Sequence, residues 1–227
     1  MGSTILRRIV LGVAITSIFA TGCQRRSRVE QTPRAGEPRR PPGPIVTQTP
    51  PPLPRPPQRA PGNPDWFPRT GKISGRWTTI VVHHSATATG NARSFDRSHR
   101  DRGWEELGYH FVIGNGTSSG DGVVEVGGRW QTQKHGAHCK TPDNYFNDHG
   151  IGICLVGDFT KTRPTQRQMA SLRRLTAFLC DQCRIPDSRV TTHGLVTNKT
   201  QCPGRNFPIM SLRRSLAMGT QNGNYAQ

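Results

Sequence analysis

Between residues 78 and 218 the spacing of apolar positions changes several times, and each change predicts an element. Thr78-Thr-Ile-Val-Val-His-His84 is β-branched and apolar, which predicts a buried strand. Tyr109-His-Phe-Val-Ile113 predicts a second strand, closed by the turn Gly114-Asn115-Gly116 and paired with residues 123–126 as a hairpin. Residues 150–156 are almost uninterruptedly apolar, the pattern of a central strand covered on both faces. From Thr165 to Cys183 the period becomes helical: Met169, Leu172, Leu175 and Leu179 recur at three and four residues. Thr165-x-x-Gln168 has the form of a capping box, and Pro186 follows the helix end. Shorter helices are predicted around residues 92–102 and 208–218. Strands and helices mixed in this order imply an α/β or α+β domain, a central sheet with helices on its faces.

Composition changes the picture before residue 69. Fourteen of the 19 prolines fall between Val29 and Pro68, where they exclude helix interiors and central strands. Residues 24–68 therefore read as an extended Pro/Arg-rich linker, able to reach on the order of 100 Å. Pro-x-x-Pro ligand motifs are its rival reading. Residues 69–227 then form one domain, enough chain for a single core. Ahead of the linker, Arg7-Arg8, an apolar run over residues 9–20 and Ala20-Thr-Gly-Cys23 read as an export signal over residues 1–23. The run is short for a bilayer span, which takes about 20 residues. Cys23 after small residues resembles a bacterial lipobox, with Ala20 where Leu is usual; a plain signal peptide cut near Gly22, or an uncleaved anchor, is the alternative. Gln24 after a lipidated Cys23 points to the outer membrane facing the periplasm in a Gram-negative cell.

Export places the folded part in an oxidising compartment. Five cysteines remain there, Cys139, Cys154, Cys180, Cys183 and Cys202, so at least one has work other than a disulfide. For Cys180-x-x-Cys183 a disulfide involving one or both, with Cys139 and Cys154 as other candidates, is expected over a redox or zinc pair. The net charge of +17 favours an anionic partner, whether wall polymer, membrane surface or nucleic acid. No nucleic-acid-reading signature accompanies it.

All eight histidines follow residue 82. Three positions carry candidate chemistry: His83 of His83-His84 at a strand end, His193 after Val190-Thr-Thr192, and Cys202 in Thr200-Gln-Cys-Pro-Gly204. Two imidazoles and a thiolate suit zinc and leave a fourth position for water, as in catalytic sites. Taken singly each is bland: His83 could be an ordinary core histidine, and Cys202 half of a disulfide.

Val81-Val-His-His-Ser-Ala86, Gly108-Tyr-His-Phe-Val-Ile113, Gly150-Ile-Gly-Ile-Cys-Leu-Val-Gly-Asp-Phe159, and His193 followed by Cys202-Pro-Gly204 occur in order. Together they resemble the type-2 N-acetylmuramoyl-L-alanine amidases, which share a fold with peptidoglycan recognition proteins and a phage lysozyme. The resemblance runs from about Trp77 to Leu216. It implies a mixed central β-sheet and a zinc ion held by His83, His193 and Cys202. It also implies Tyr109 and Thr200 as catalytic residues, peptidoglycan or a muropeptide as substrate, and a monomer. The reaction implied is hydrolysis of the amide between N-acetylmuramic acid and L-alanine by zinc-activated water, with Tyr109 stabilising the oxyanion. His84 is expected to pack or hydrogen-bond beside the site, and His110 to be structural on the side opposite Tyr109.

Two other classes compete. One is a muropeptide-binding module of the same fold that does not cut; such relatives commonly lose the cysteine ligand, and here Cys202 is present. The other is a basic nucleic-acid binder, for which charge alone speaks.

Overall fold

The computed structural model describes residues 64–221. The export signal, Cys23 and most of the proline-rich segment lie outside the described residues. Eleven elements follow in chain order: β1 (Thr79–His84), α1 (Ala92–Arg100), β2 (Phe111–Ile113), β3 (Val124–Val126), α2 (Gly128–Gln131), α3 (Tyr145–Asp148), β4 (Gly150–Leu155), α4 (Gln166–Cys183), β5 (Val190–Thr192), α5 (His193–Thr197) and α6 (Ile209–Gln221). Short 3-10 turns stand at Pro64–Trp66 and Asp187–Arg189. No helix among the described residues is long and apolar enough to cross a membrane.

The five strands form one mixed sheet in the order β3-β2-β4-β1-β5. Only the β2–β3 hairpin is antiparallel; β4, β1 and β5 run parallel, which is why β4 and β1, each with a neighbour on both sides, read as continuous apolar runs. Side chains alternate across the strands. Ile80, Val82, Phe111, Ile113, Ile151, Ile153 and Leu155 share one core with Leu172, Leu175 and Leu179 of α4 and Leu212 and Leu216 of α6. Val112 and Cys154 face the other way, toward Leu107, Tyr109 and the α1 residue Phe95.

Local signals account for the long helices. Thr165 accepts from the Gln168 main chain at 2.9 Å and Gln168 accepts from Thr165 N at 3.1 Å, the reciprocal cap that opens α4. Buried Gln168 also donates to the Val156 carbonyl at 2.8 Å, tying α4 to the end of β4. Asn91 and Ser94 make the same kind of cap on α1.

Two expectations are revised. The packed body takes in residues before Arg69: Trp66 is 6% exposed, stacks edge-on against Phe178, and accepts through its carbonyl the Trp130 indole N–H at 2.7 Å. An aromatic at the end of a proline-rich run thus caps the α4 face. The expected disulfide also does not join Cys139, Cys154, Cys183 or Cys202, which are free thiols among the described residues. The sheet itself separates candidates, since Cys180 belongs to the α4 core and Cys154 to the opposite face.

Candidate metal centre and active site

Parallel pairing brings two of the predicted residues together. Val82 of β1 stands opposite Thr192 of β5, so the next residue of each chain, His83 and His193, emerges side by side at the carboxyl ends of neighbouring strands. Open parallel sheets place their ligand crevices at such ends. Thr192 caps α5 through its hydroxyl, accepting from Leu195 N at 3.3 Å, and so turns the chain immediately at His193. The two imidazole centroids are 4.9 Å apart.

Cys202 reaches the same point from the loop after α5. Gly194 N donates to the Cys202 carbonyl at 2.7 Å, and a Cβ at Gly194 would lie only 2.7 Å from the Thr200 carbonyl oxygen. The glycine after His193 is therefore what lets the segments carrying His193 and Cys202 touch. The Cys202 thiol lies 3.8 Å from His83 Nδ1 and accepts from His84 N at 3.4 Å. One donor atom from each of His83, His193 and Cys202 falls within 4.8 Å of the others. Zinc with nitrogen and sulfur ligands in a tetrahedron needs an N–S separation of about 3.6 Å. The 3.8 Å seen between His83 Nδ1 and Cys202 Sγ fits that requirement.

The electrostatics agree with a neutral, ligand-ready pair of imidazoles. Burial, and then the neighbouring His138 and His193, hold His83 well below the usual histidine range. Burial also lowers His193. Burial pushes the Cys202 thiol up to about 11, with the His84 N–H working the other way.

Tyr109 lies beside the cluster, its ring centroid 5.2 Å from that of His83. Burial, and then the nearby Cys154 and Cys202, raise its phenol well above 10, so it stays protonated and able to donate. Thr200 is exposed; its Oγ1 accepts from Cys202 N at 3.2 Å, which shapes the ligand loop and leaves the O–H to donate elsewhere. His84 meets the Cys202 thiol through its main-chain N–H. Its imidazole accepts from Phe159 N at 3.1 Å and lies 3.8 Å from Asp158, because neighbouring strand residues face opposite sides. His110 is fully buried against Trp77 and bonds to Gly152 N and the Lys134 carbonyl, a structural placement.

Sequence reasoning passed over His138. It is buried, and its Nδ1 lies 3.0 Å from His83 Nε2, 55 residues away in the chain. The one signal was indirect: Gly152, inside an apolar strand, leaves room for a close neighbour on that face.

A family profile described as N-acetylmuramoyl-L-alanine amidase matches residues 74–205, more than half of the chain. The chain belongs to the N-acetylmuramoyl-L-alanine amidase family. Among curated relatives, the pig N-acetylmuramoyl-L-alanine amidase (Sus scrofa) is 32% identical over 138 residues, 55% of this chain and 21% of that protein. Peptidoglycan-recognition protein LB of Drosophila melanogaster is 29% identical over 155 residues, 62% of each chain. The endolysin of Escherichia phage T7 is 35% identical over 108 residues, 44% of this chain and 64% of its own length. The chain thus spans about a fifth to under two thirds of these relatives. Among solved structures, the endolysin amidase LysCS from Clostridium intestinale superposes with a TM-score of 0.54 at 29% identity, over 64% of this chain and 88% of that one. Its likeness fits the mixed sheet with flanking helices expected from the sequence.

Proposed function

We propose that the protein is a zinc-dependent amidase that hydrolyses the bond between N-acetylmuramic acid and L-alanine in peptidoglycan. The observation that carries this reading is the convergence of His83, His193 and Cys202 donor atoms within 4.8 Å, with the Tyr109 phenol beside them. The names of the relatives support the substrate class.

Zinc bound there supplies Lewis-acid chemistry, polarising a carbonyl and acidifying water to a pKa of about 7. His83 and His193 would hold the metal through neutral nitrogens and Cys202 through its sulfur once deprotonated, a donor set of the kind found in catalytic zinc sites. Tyr109, neutral and half-buried, donates its O–H to the oxygen on which negative charge develops. Thr200 holds the Cys202 loop with its oxygen and has a proton left to orient water or the oxyanion.

The test is digestion of purified peptidoglycan with and without a chelator, with products identified by mass. Release of L-alanine-terminated peptides that stops on chelation and resumes with zinc is expected. Tight binding to the wall without release would instead make the domain a recognition module.

The envelope assignment belongs to the same proposal. Cys23 carries a lipid, the proline-rich segment is a tether, and the domain works from the outer membrane facing the periplasm. Cys23→Ala should release soluble protein whose activity on isolated peptidoglycan is unchanged; wild-type protein found wholly soluble and cut elsewhere defeats the anchor.

A further inference from the structure

We propose that His138 is a positioning residue for the metal site, fixing His83 in the tautomer whose bare Nδ1 faces Cys202 and His193. The inference rests on the zinc reading above, and it follows from donor and acceptor arithmetic along one chain of contacts. His138 Nε2 lies 3.1 Å from the Gly150 carbonyl oxygen. A carbonyl only accepts, so that nitrogen carries the hydrogen. The other nitrogen of the neutral ring, Nδ1, is then bare and must accept. Its partner is His83 Nε2 at 3.0 Å, which must therefore be the N–H. That leaves His83 with its lone pair on Nδ1, the atom 3.8 Å from the Cys202 thiol. The relay starts from a main-chain carbonyl of β4, which hydrogen-bonded sheet structure prevents from turning, and ends at a ligand nitrogen.

The fold makes dedicated room for this ring. A Cβ on Gly152 would lie 2.5 Å from His138 Cδ2, and one on Gly136 would come closer still. The main chain beneath the ring is held as well: His138 N and Cys139 N both donate to Asn147 Oδ1 at 2.8 Å, and Asn147 donates onward to Asn144 Oδ1 at 2.8 Å. His110 shows what a buried histidine without this task looks like. It accepts from Gly152 N at 2.9 Å and donates to the Lys134 carbonyl at 3.1 Å, so both its nitrogens are spent on main chain.

The decisive measurement is the ring-nitrogen NMR spectrum of metal-free, 15N-histidine-labelled protein, together with zinc affinity by chelator competition. In the wild type His83 should be protonated at Nε2 and bare at Nδ1. His138→Phe keeps ring volume and removes the acceptor; His83 should then populate both tautomers, and zinc affinity should fall about 10–100-fold. His138→Asn, whose Oδ1 can stand in for the lost Nδ1, should recover most of that affinity. A wild-type His83 protonated at Nδ1, or a folded His138→Phe protein with unchanged zinc affinity, overturns the proposal. Should His138→Phe fail to fold, the wild-type spectrum decides alone. Wild-type protein that takes up no zinc would sink the metal reading, whereas the spectrum judges the relay without any metal present.

Discussion

On β1, Ile80 and Val82 enter the dry layer beneath α4 and α6, while His83, the next residue, turns to the opposite face among His138, His193, Tyr109 and Cys202. β4 behaves the same way: Ile151, Ile153 and Leu155 feed the core, and Gly152 and Cys154 serve the other face. The α4 face is almost entirely hydrocarbon, and its buried Gln168 is bonded to strand carbonyls. The site face buries imidazoles instead, and gives His83 and His138 ring partners that offset the cost of removing them from water. Because strand side chains alternate, chemistry can be installed on one face without perforating the core on the other. Stability and metal binding should therefore separate under mutation.

Cys202→Ser should make the largest difference on the site face, costing on the order of 10³-fold in zinc affinity, since a hard hydroxyl replaces a soft thiolate. The metal-free protein should melt within a few degrees of wild type, as the cluster lies outside the α4 core. Full zinc occupancy in this variant would break the site assignment. Leu175→Ala is the mirror experiment on the core face, where this α4 side chain is fully buried. It should cost about 3 kcal/mol and lower Tm by roughly 6–12 °C in a domain of this size, with zinc affinity at 25 °C unchanged. A variant that lost metal and stability together would show that the two faces are coupled.

Tyr109→Phe should lower kcat about 10²-fold while leaving zinc content and Tm as they are, the scale of one oxyanion donor. Near wild-type turnover in metal-replete protein would move that role to another group. A milder effect concerns pH. Metal binding needs the Cys202 thiolate, and burial pushes the free thiol up to about 11. Between pH 7 and 9 the ligand histidines are already neutral, so binding expels one proton and zinc affinity should rise about tenfold per pH unit. A flat profile over that range would mean that the thiolate is already formed in metal-free protein. Thr165→Ala removes the α4 cap and should cost only about 1 kcal/mol, seen as a Tm drop of roughly 2–4 °C with no change at the metal site.

Residues 166–183 were legible because a helix is a local object: Met169, Leu172, Leu175 and Leu179 are spaced by its own period, and its cap lies three residues from its partner. The strands around His83 and Cys154 were legible for a related reason, since a β-branched run bounded by turn residues leaves few alternatives. The donor types were also visible, and a resemblance spread over four ordered blocks singled out His83, His193, Cys202, Tyr109 and Thr200. By contrast, the placement of Trp66 within the core left no local mark, and neither did the free thiols of Cys139, Cys154, Cys183 and Cys202.

The sequence by itself determined β1 to β4, the helices α1, α4 and α6, the donor chemistry and the family, because each is carried by short-range periodicity or by residue type, whereas the short α2, α3, β5 and α5 were not visible in it. The tertiary structure alone decided that His83 meets Cys202, 119 residues away, and that the nitrogen facing it is Nδ1. It alone put His138 behind His83, and turned the His84 ring away while keeping its N–H on the thiol. These contacts depend on parallel strand register and on backbone that closes in at Gly152 and Gly194. Register couples residues distant in the chain through hydrogen bonds that carry no side-chain signature, so no pattern along the sequence records it.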